Sequence, residues 1–178
     1  MTCIVGFIEG KTAYIGGDTF GSDGRTGCEV FRSKVFKVGN FVIGGTSSFR
    51  MLDLLEFSFE PRNPYPDDDM DKYMRTIFVN AVRGCLSSGG FKTVENNVES
   101  GGNFLVAYKD NLWEIQNDFS VLNRRPYSAV GSGEQVAIGS LYTTEKMKLT
   151  PKQKITFALE AACKHVVSVR GPYTILNT

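Results

Sequence analysis

The spacing of apolar residues changes repeatedly along this chain, and the order of these changes limits the folds open to it. Runs with strand character come first, two helical patterns follow, and strands, two more helical patterns and a closing strand complete the order. Strand runs that alternate with helix pairs favour a layered α+β fold over a parallel βαβ sheet. We therefore predict a layered α+β structure, with 1–178 as one domain, since no repeat or linker interrupts the chain.

Turn residues separate the predicted strands. Strands at 3–8 and 12–17 form a predicted hairpin, and those at 35–38 and 41–43 form a second one across Gly39-Asn40. The glycine-rich stretch 21–27 and the stretch from Ser87 to Gly102 read as loops. Further strands are predicted at 104–108, 112–115, 127–130 and 173–176.

Helical spacing predicts four helices, at 49–59, 70–86, 133–147 and 151–167. Two of them begin with residues at the spacing of a capping box, in which a Ser or Thr and a Gln three residues later bond to each other's backbone. These pairs are Ser132 with Gln135, and Thr150 with Gln153.

Composition excludes several classes of function. The 20 Lys and Arg residues nearly balance the 19 Asp and Glu, and a net charge of +1 gives no electrostatic case for nucleic acid or a membrane surface. Apolar runs fall short of a membrane span, and Met1 to Val5 lacks a basic signal-peptide start, so we expect a cytoplasmic protein. Its thiols are expected to be free, and a metal site is not expected because His165 is the only histidine.

Three polar residues stand out near the N-terminus. Thr2 becomes the first residue if Met1 is removed, Asp18 follows Gly16-Gly17, and Lys34 precedes a strand. Successive members are 16 positions apart. Alone, each has an ordinary interpretation: a common second residue, a turn former and a solvated lysine. Their spacing is the specific part of the pattern.

This spacing resembles the N-terminal nucleophile hydrolases, in particular HslV and proteasome β-subunits. Those proteins begin with a threonine-led strand, followed by a Gly-Asp pair and a lysine. The resemblance covers nearly the whole chain and is weakest at 60–100. It implies a four-layer αββα sandwich, in which two antiparallel sheets pack face to face between helix pairs. The matching segments are Thr2-Cys3-Ile4-Val5-Gly6, Gly17-Asp18, Lys34, Val42-Ile43-Gly44-Gly45, Ala129-Val130-Gly131-Ser132-Gly133 and Ala158-Leu159-Glu160-Ala161-Ala162.

The resemblance also implies a threonine peptidase. After Met1 removal the Thr2 hydroxyl is the nucleophile, and its own α-amine, with a reference pKa of about 7.7–8.0, is the base. A Lys34 ammonium lowers the pKa of that amine, and Asp18 supplies the counter-charge. The Gly45 N–H is the expected oxyanion donor.

Further roles follow from the resemblance alone. Ser132 is expected to bond the terminal amine, although its interpretation as a helix cap is equally open. Ser168 is a supporting residue, whereas His165 stands where proteasome β-subunits carry an acid. The expected pocket for the residue before the cleaved bond, with an apolar preference, consists of Ile43 and the turn 46–49, with Arg32 at its side. The turn supplies Thr46, Ser48 and Phe49.

Three functions remain open at this level. The first is an endopeptidase enclosed in stacked six-membered rings of identical subunits, with seven-membered rings as the second choice. It acts on protein and peptide substrates without a cofactor, with a separate HslU-like ATPase as a possible partner, because the chain has no nucleotide-binding P-loop. The second is an inert shell protein of the same fold, and the third is a small-amide hydrolase.

Overall fold

Two antiparallel sheets form the centre of the molecule. The computed structural model describes residues 2–22, 26–30 and 32–178. One sheet has the strand order β12-β1-β2-β13 and the other has the order β11-β10-β9-β6-β5. The strands are β1 Cys3–Glu9, β2 Thr12–Asp18, β3 Phe20–Ser22, β4 Gly27–Glu29, β5 Val35–Val38, β6 Phe41–Gly45, β7 Thr93–Glu95, β8 Val98–Ser100, β9 Phe104–Tyr108, β10 Asn111–Ile115, β11 Val121–Asn123, β12 Tyr127–Gly131 and β13 Tyr173–Asn177.

Helices cover the outer face of each sheet. Helices α1 and α3 lie beside the five-stranded sheet, and α4 and α5 pack on the four-stranded one. A π-helical segment, Met74–Phe78, joins α2 to α3, so the backbone stays helical from Met70 to Ser88. The helices are α1 Phe49–Phe57, α2 Met70–Tyr73, α3 Val79–Ser88, α4 Glu134–Thr144 and α5 Pro151–His165.

Three apolar clusters fill the spaces between the four layers. The middle cluster joins the two sheets and includes Ile4, Ile15, Val42 and Leu112. A second cluster lies between the five-stranded sheet and α1 and α3, and a third lies between the four-stranded sheet and α4 and α5. The predicted αββα sandwich is thereby confirmed, because each sheet buries both of its faces.

Local hydrogen bonds decide where two helices begin. The predicted capping box of Thr150 and Gln153 is present, with Pro151 in the first turn of α5. The predicted box of Ser132 and Gln135 is wrong, because Gly133 occupies the cap position and no side chain caps α4. The hydroxyl of Ser132 bonds instead to residues distant in sequence.

Two short strand pairs overlap stretches that the sequence assigned to loops. Strands β7 and β8 pair across Asn96 and Asn97, which adopt φ angles of 49° and 65°. Most of their side chains are exposed, so they lack the apolar alternation by which a half-buried strand is recognised. Strands β3 and β4 are also antiparallel partners, and they include Gly21, Ser22 and Gly27 of the predicted 21–27 loop. Residues 23–25 of that loop lie outside the described residues.

None of the helices in the described ranges combines the length and the apolar character that a membrane crossing requires.

Candidate active site

A buried ion pair lies where the first strands meet. Asp18 ends β2 and Lys34 stands just before β5, and the Lys34 Nζ donates to Asp18 Oδ2 at 2.9 Å. The side chains are 0% and 3% exposed, respectively. The same Nζ also donates to the Phe20 carbonyl oxygen at 2.7 Å. A lysine in this position serves as a fixed, desolvated positive charge.

The Asp18 carboxylate is held by two backbone groups as well. The Cys3 N–H donates to Oδ1 at 2.9 Å, and the Phe20 N–H donates to Oδ2 at 3.2 Å. The antiparallel register of β1 and β2, in which Ile4 lies opposite Gly17, brings Asp18 beside the start of β1. Asp18, the last residue of β2, therefore holds the start of β1, which directly follows Thr2.

Burial and charge act in opposite directions on this pair. Burial raises the pKa of Asp18 above its ordinary value, and it lowers the pKa of Lys34. The attraction and the hydrogen bond between the two groups oppose both shifts, and the backbone donors of Cys3 and Phe20 further oppose the rise in the pKa of Asp18. A lysine with a lowered pKa loses its proton at a lower pH than a solvated lysine does.

Thr2 sits beside this pair and is held through its backbone. Thr2 is 5% exposed, and its N–H donates to Ser132 Oγ at 3.2 Å. The Ser132 Oγ also lies 3.2 Å from the Thr2 carbonyl oxygen and 3.1 Å from the Oγ of the buried Ser168. Met1 lies outside the described residues, so its predicted removal stays a prediction.

Glycine at position 131 allows the end of β12 to lie directly against Thr2. Gly131 has a φ of 100°, and a Cβ added there would lie 2.3 Å from the Thr2 carbonyl oxygen. Any other residue would be strained and would displace Thr2. The signal in the sequence is the Gly131-Ser132-Gly133 motif, although the hydrogen bond between Thr2 and Ser132 joins positions 130 residues apart.

A cavity of about 90 Å³ opens next to Thr2. It brings together Lys34 and four of the other residues that the sequence placed at the site, which are Gly45, Thr46, Ser48 and Phe49. The lining also includes Ser47, which lies in the predicted 46–49 turn, and four residues that sequence reasoning did not anticipate, which are Phe20, Gly21, Ser22 and Leu52.

Gly45 lines this cavity with its N–H already engaged. That group donates to the Lys34 carbonyl oxygen at 3.0 Å. A Cβ at Gly45 would lie 2.4 Å from Leu52 Cδ2, so glycine is needed for α1 to pack against β6. Packing against the helix α1 therefore accounts for glycine at position 45.

Two residues of the expected pocket do not line the cavity. Ile43 is fully buried in the cluster between the five-stranded sheet and the helices. Arg32 forms ion pairs with Asp53 and Glu56 of α1, at 2.9 Å in the case of Glu56. The charge of the Arg32 guanidinium is thus paired with two carboxylates of α1, and the side chain does not line the cavity.

Hydrogen bonds to the backbone of Asn103 hold Thr46 and Ser47, which line one side of the cavity. The Thr46 Oγ1 and N–H both donate to the Asn103 carbonyl oxygen, at 2.9 and 3.0 Å. The Asn103 N–H donates in turn to Ser47 Oγ at 3.2 Å. The residue before β9 therefore fixes one side of the cavity, and no local pattern in the sequence indicated this.

The arrangement can supply a hydroxyl, a fixed cation and several hydrogen-bond donors at one cavity. Within the described residues, no group of three or more His, Cys, Asp or Glu side chains is placed to hold a metal ion. His165, at the end of α5, is exposed.

Comparison of the structure with solved structures gives close matches. The chain superimposes on the bacterial proteasome homologue BPH of Thiobacillus denitrificans with a TM-score of 0.85, covering 99% of this chain and 97% of that one at 19% identity. The chain has a proteasome-like fold. BPH in complex with epoxomicin matches with a TM-score of 0.83 at 18% identity, over 99% and 98% of the two chains.

The proteasome-like fold is shared more distantly with eukaryotic HslV from Trypanosoma brucei. That match has a TM-score of 0.69 at 16% identity and covers 99% of this chain and 98% of the other. By sequence, no protein-family model and no curated protein matches the chain. At these identities the likeness is one of fold, while the roles of individual residues rest on the geometry given above.

Proposed function

We propose that this protein is a threonine endopeptidase subunit that acts with Thr2 as its N-terminal nucleophile after Met1 is removed. The observation that carries the proposal is that Thr2 and Lys34 line one cavity, and that Lys34 is paired there with the buried Asp18. A pure scaffold has no need for a buried lysine there, because burying charges costs free energy that apolar residues do not require.

The proposed reaction begins with the Thr2 hydroxyl. Its Oγ attacks the substrate carbonyl carbon while its proton passes to the α-amine, directly or through a water. The C–N bond then breaks, the leaving amine takes that proton, and water hydrolyses the acyl-enzyme ester. Lys34 keeps the α-amine neutral by electrostatic repulsion, and Ser132 orients the amine nitrogen to which it bonds.

The oxyanion requires a donor that is free when the substrate binds. We assign this role to the Gly45 N–H, which donates to the Lys34 carbonyl oxygen in the absence of substrate. The proposal therefore includes sharing or exchange of this bond when the tetrahedral intermediate forms.

An inert shell protein is the alternative function. The engaged Gly45 N–H favours it, as does the position of His165, which is exposed and so does not replace the missing acid near Thr2. In this alternative the Lys34–Asp18 pair serves only to join β2 to β5.

We further propose a cytoplasmic assembly of stacked six-membered rings, with seven-membered rings as the second choice. Enclosure restricts access to a nucleophile that would otherwise meet any protein. The nearly complete mutual coverage with HslV supports this proposal, since the chain lacks large insertions that would alter an assembly surface. A separate HslU-like ATPase would then supply unfolded substrates.

The deciding experiment combines intact-mass measurement, N-terminal sequencing and peptide hydrolysis on the assembled protein. We expect loss of Met1, cleavage of unstructured peptides, and inhibition by epoxomicin, which one of the structural neighbours binds. Thr2→Ala should abolish cleavage while leaving the fold and the native mass unchanged. A protein that keeps Met1 and cleaves nothing would overturn the peptidase and favour the inert shell.

A further inference from the structure

The cavity beside Thr2 is small for a substrate pocket. Its volume is about 90 Å³. A buried cavity of about 150 Å³ is known to accept benzene. An alanine, serine or threonine side chain fits this volume, whereas a phenylalanine or tyrosine ring exceeds it unless the ring extends past the open side of the cavity or the walls move.

The lining of this cavity combines apolar side chains with side chains that carry hydroxyl groups. Phe20, Phe49 and Leu52 are the large apolar residues of the lining, and Leu52 of α1 is 2% exposed. Thr46, Ser47 and Ser48 line the cavity and carry hydroxyl groups. Among the described residues, Lys34 is the only cation in the lining, and its charge is already paired with Asp18. Neither a basic nor an acidic side chain would find an unpaired opposite charge among these lining groups.

Phe49 separates this cavity from a larger one. A second cavity of about 410 Å³ lies against β3 and β4, and Phe49 lines both of them. The two cavities also share Gly21 and Ser22 of β3, and a Cβ at Gly21 would come within 3.6 Å of Phe49 Cε2. The Phe49 ring is thus a wall between the small space and the large one.

We infer that the peptidase cleaves after small, uncharged residues, and that Phe49 and Leu52 set this size limit. The inference rests on the proposed function, because it assigns the cavity to the residue before the cleaved bond. It replaces the apolar preference expected from Ile43, which does not line the cavity. Phe49 and Leu52 are specificity-determining residues and take no part in the chemistry.

The test is the ratio of kcat/KM for matched peptides with Ala or Phe before the cleaved bond. We expect wild-type protein to favour Ala by at least about 10-fold, since a single methylene in a pocket discriminates by 10–200-fold. Phe49→Ala should lower this ratio at least about 5-fold by joining the two cavities. Phe57→Ala, at the exposed other end of α1, is the matched control and should leave the ratio unchanged.

Leu52→Val is a second variant, which removes one methylene group from the lining with less risk to folding than alanine. It should admit valine or leucine better than wild type does. A wild-type preference for Phe, Arg or Glu would overturn this inference while leaving the peptidase intact. An unchanged ratio in Phe49→Ala and Leu52→Val would overturn their assignment. Absence of cleavage of every peptide by protein lacking Met1 would overturn the proposed function and this inference together.

Discussion

At the scale of single residues, the site depends on one lysine that is charged and buried together with its counter-ion. Lys34 and Asp18 satisfy each other, and backbone groups supply the remaining hydrogen bonds. The charges of such a pair stay at fixed positions, because neither side chain can turn toward solvent. Removing one partner leaves the other as an uncompensated buried charge, which is far more destabilising than removing both.

Lys34→Met is therefore expected to lower the free energy of unfolding by about 3–5 kcal/mol at neutral pH. Burial already raises the pKa of Asp18, and loss of the ammonium raises it further. A raised carboxyl pKa favours the protonated form in the folded state. The deficit relative to wild type should hence shrink as the pH falls through that raised pKa. Urea unfolding across a pH series measures this.

The double variant Asp18→Asn, Lys34→Met is the control for that prediction. It removes both charges, so its stability difference from wild type should be smaller at neutral pH than that of Lys34→Met. A deficit in Lys34→Met that is independent of pH would contradict the role assigned to the buried carboxylate.

At the scale of elements, the approach of β12 to Thr2 positions the candidate nucleophile. Gly131 and Ser132 lie where β12 ends, and α4 begins directly after them. The chain can turn there only because Gly131 adopts a positive φ with no Cβ between it and Thr2.

Gly131→Ala should destabilise the protein and reduce peptide cleavage more than its stability loss explains. The added Cβ meets the Thr2 carbonyl oxygen, so Thr2 must move. Gly10→Ala is a matched control, because Gly10 has a φ of 61° but open space around its missing Cβ. That variant should lose only about 1–2 kcal/mol through backbone strain. Thermal unfolding and kcat of both variants test the comparison, and equal effects would contradict it.

The exposed hairpin of β7 and β8 is tied to α3 by charge. Glu99 receives hydrogen bonds from Arg83 Nε and Lys92 Nζ, both at 2.6 Å. These bonds lower the pKa of Glu99 to about 2. The contribution of the carboxylate is thus present above its ordinary pKa and is lost as the pH falls toward 2.

Glu99→Gln should speed amide hydrogen exchange within residues 93–100 at pH 7 without a measurable change in global stability, since exposed ion pairs contribute little. Glu95→Gln makes the same charge change in the same hairpin and should leave exchange near the wild-type rate. If both variants exchange alike, the ion pairs do not hold the hairpin.

At the scale of the whole molecule, the four-layer packing leaves only the strand ends accessible for a functional site. Both faces of each sheet are covered, so a substrate has access only where strands end. Thr2, Asp18 and Lys34 all lie at such ends. Large apolar side chains remain exposed on the outer helices, including Phe57 and Tyr142, which are 75% and 74% exposed.

The native mass should be that of an assembly of many copies. Twelve chains of 19.7 kDa give about 240 kDa for stacked six-membered rings, and fourteen give about 280 kDa. Native mass spectrometry at several concentrations distinguishes the two. A stable monomer of 19.7 kDa would contradict the proposed compartmentalised protease.

Much of the architecture was predictable from the chain itself. The alternation of strand and helix patterns follows from which side chains must be buried, and that information is local, so most element positions were correct within a few residues. The hairpin of β7 and β8 was not predicted, because its side chains are mostly exposed and show no apolar alternation. The spacing of Thr2, Asp18 and Lys34 indicated candidates for a site, although by resemblance and not by contact.

Only the tertiary structure decided what these residues touch. The sequence left Ser132 open between a helix cap and a bond to Thr2, and the fold selects the bond by bringing β12 against β1. The size of the cavity, the wall formed by Phe49 and the exclusion of Ile43 depend on how α1 packs across the end of β6. Local periodicity records whether a side chain is buried, whereas its neighbours in space are set by strand register and helix packing between distant segments.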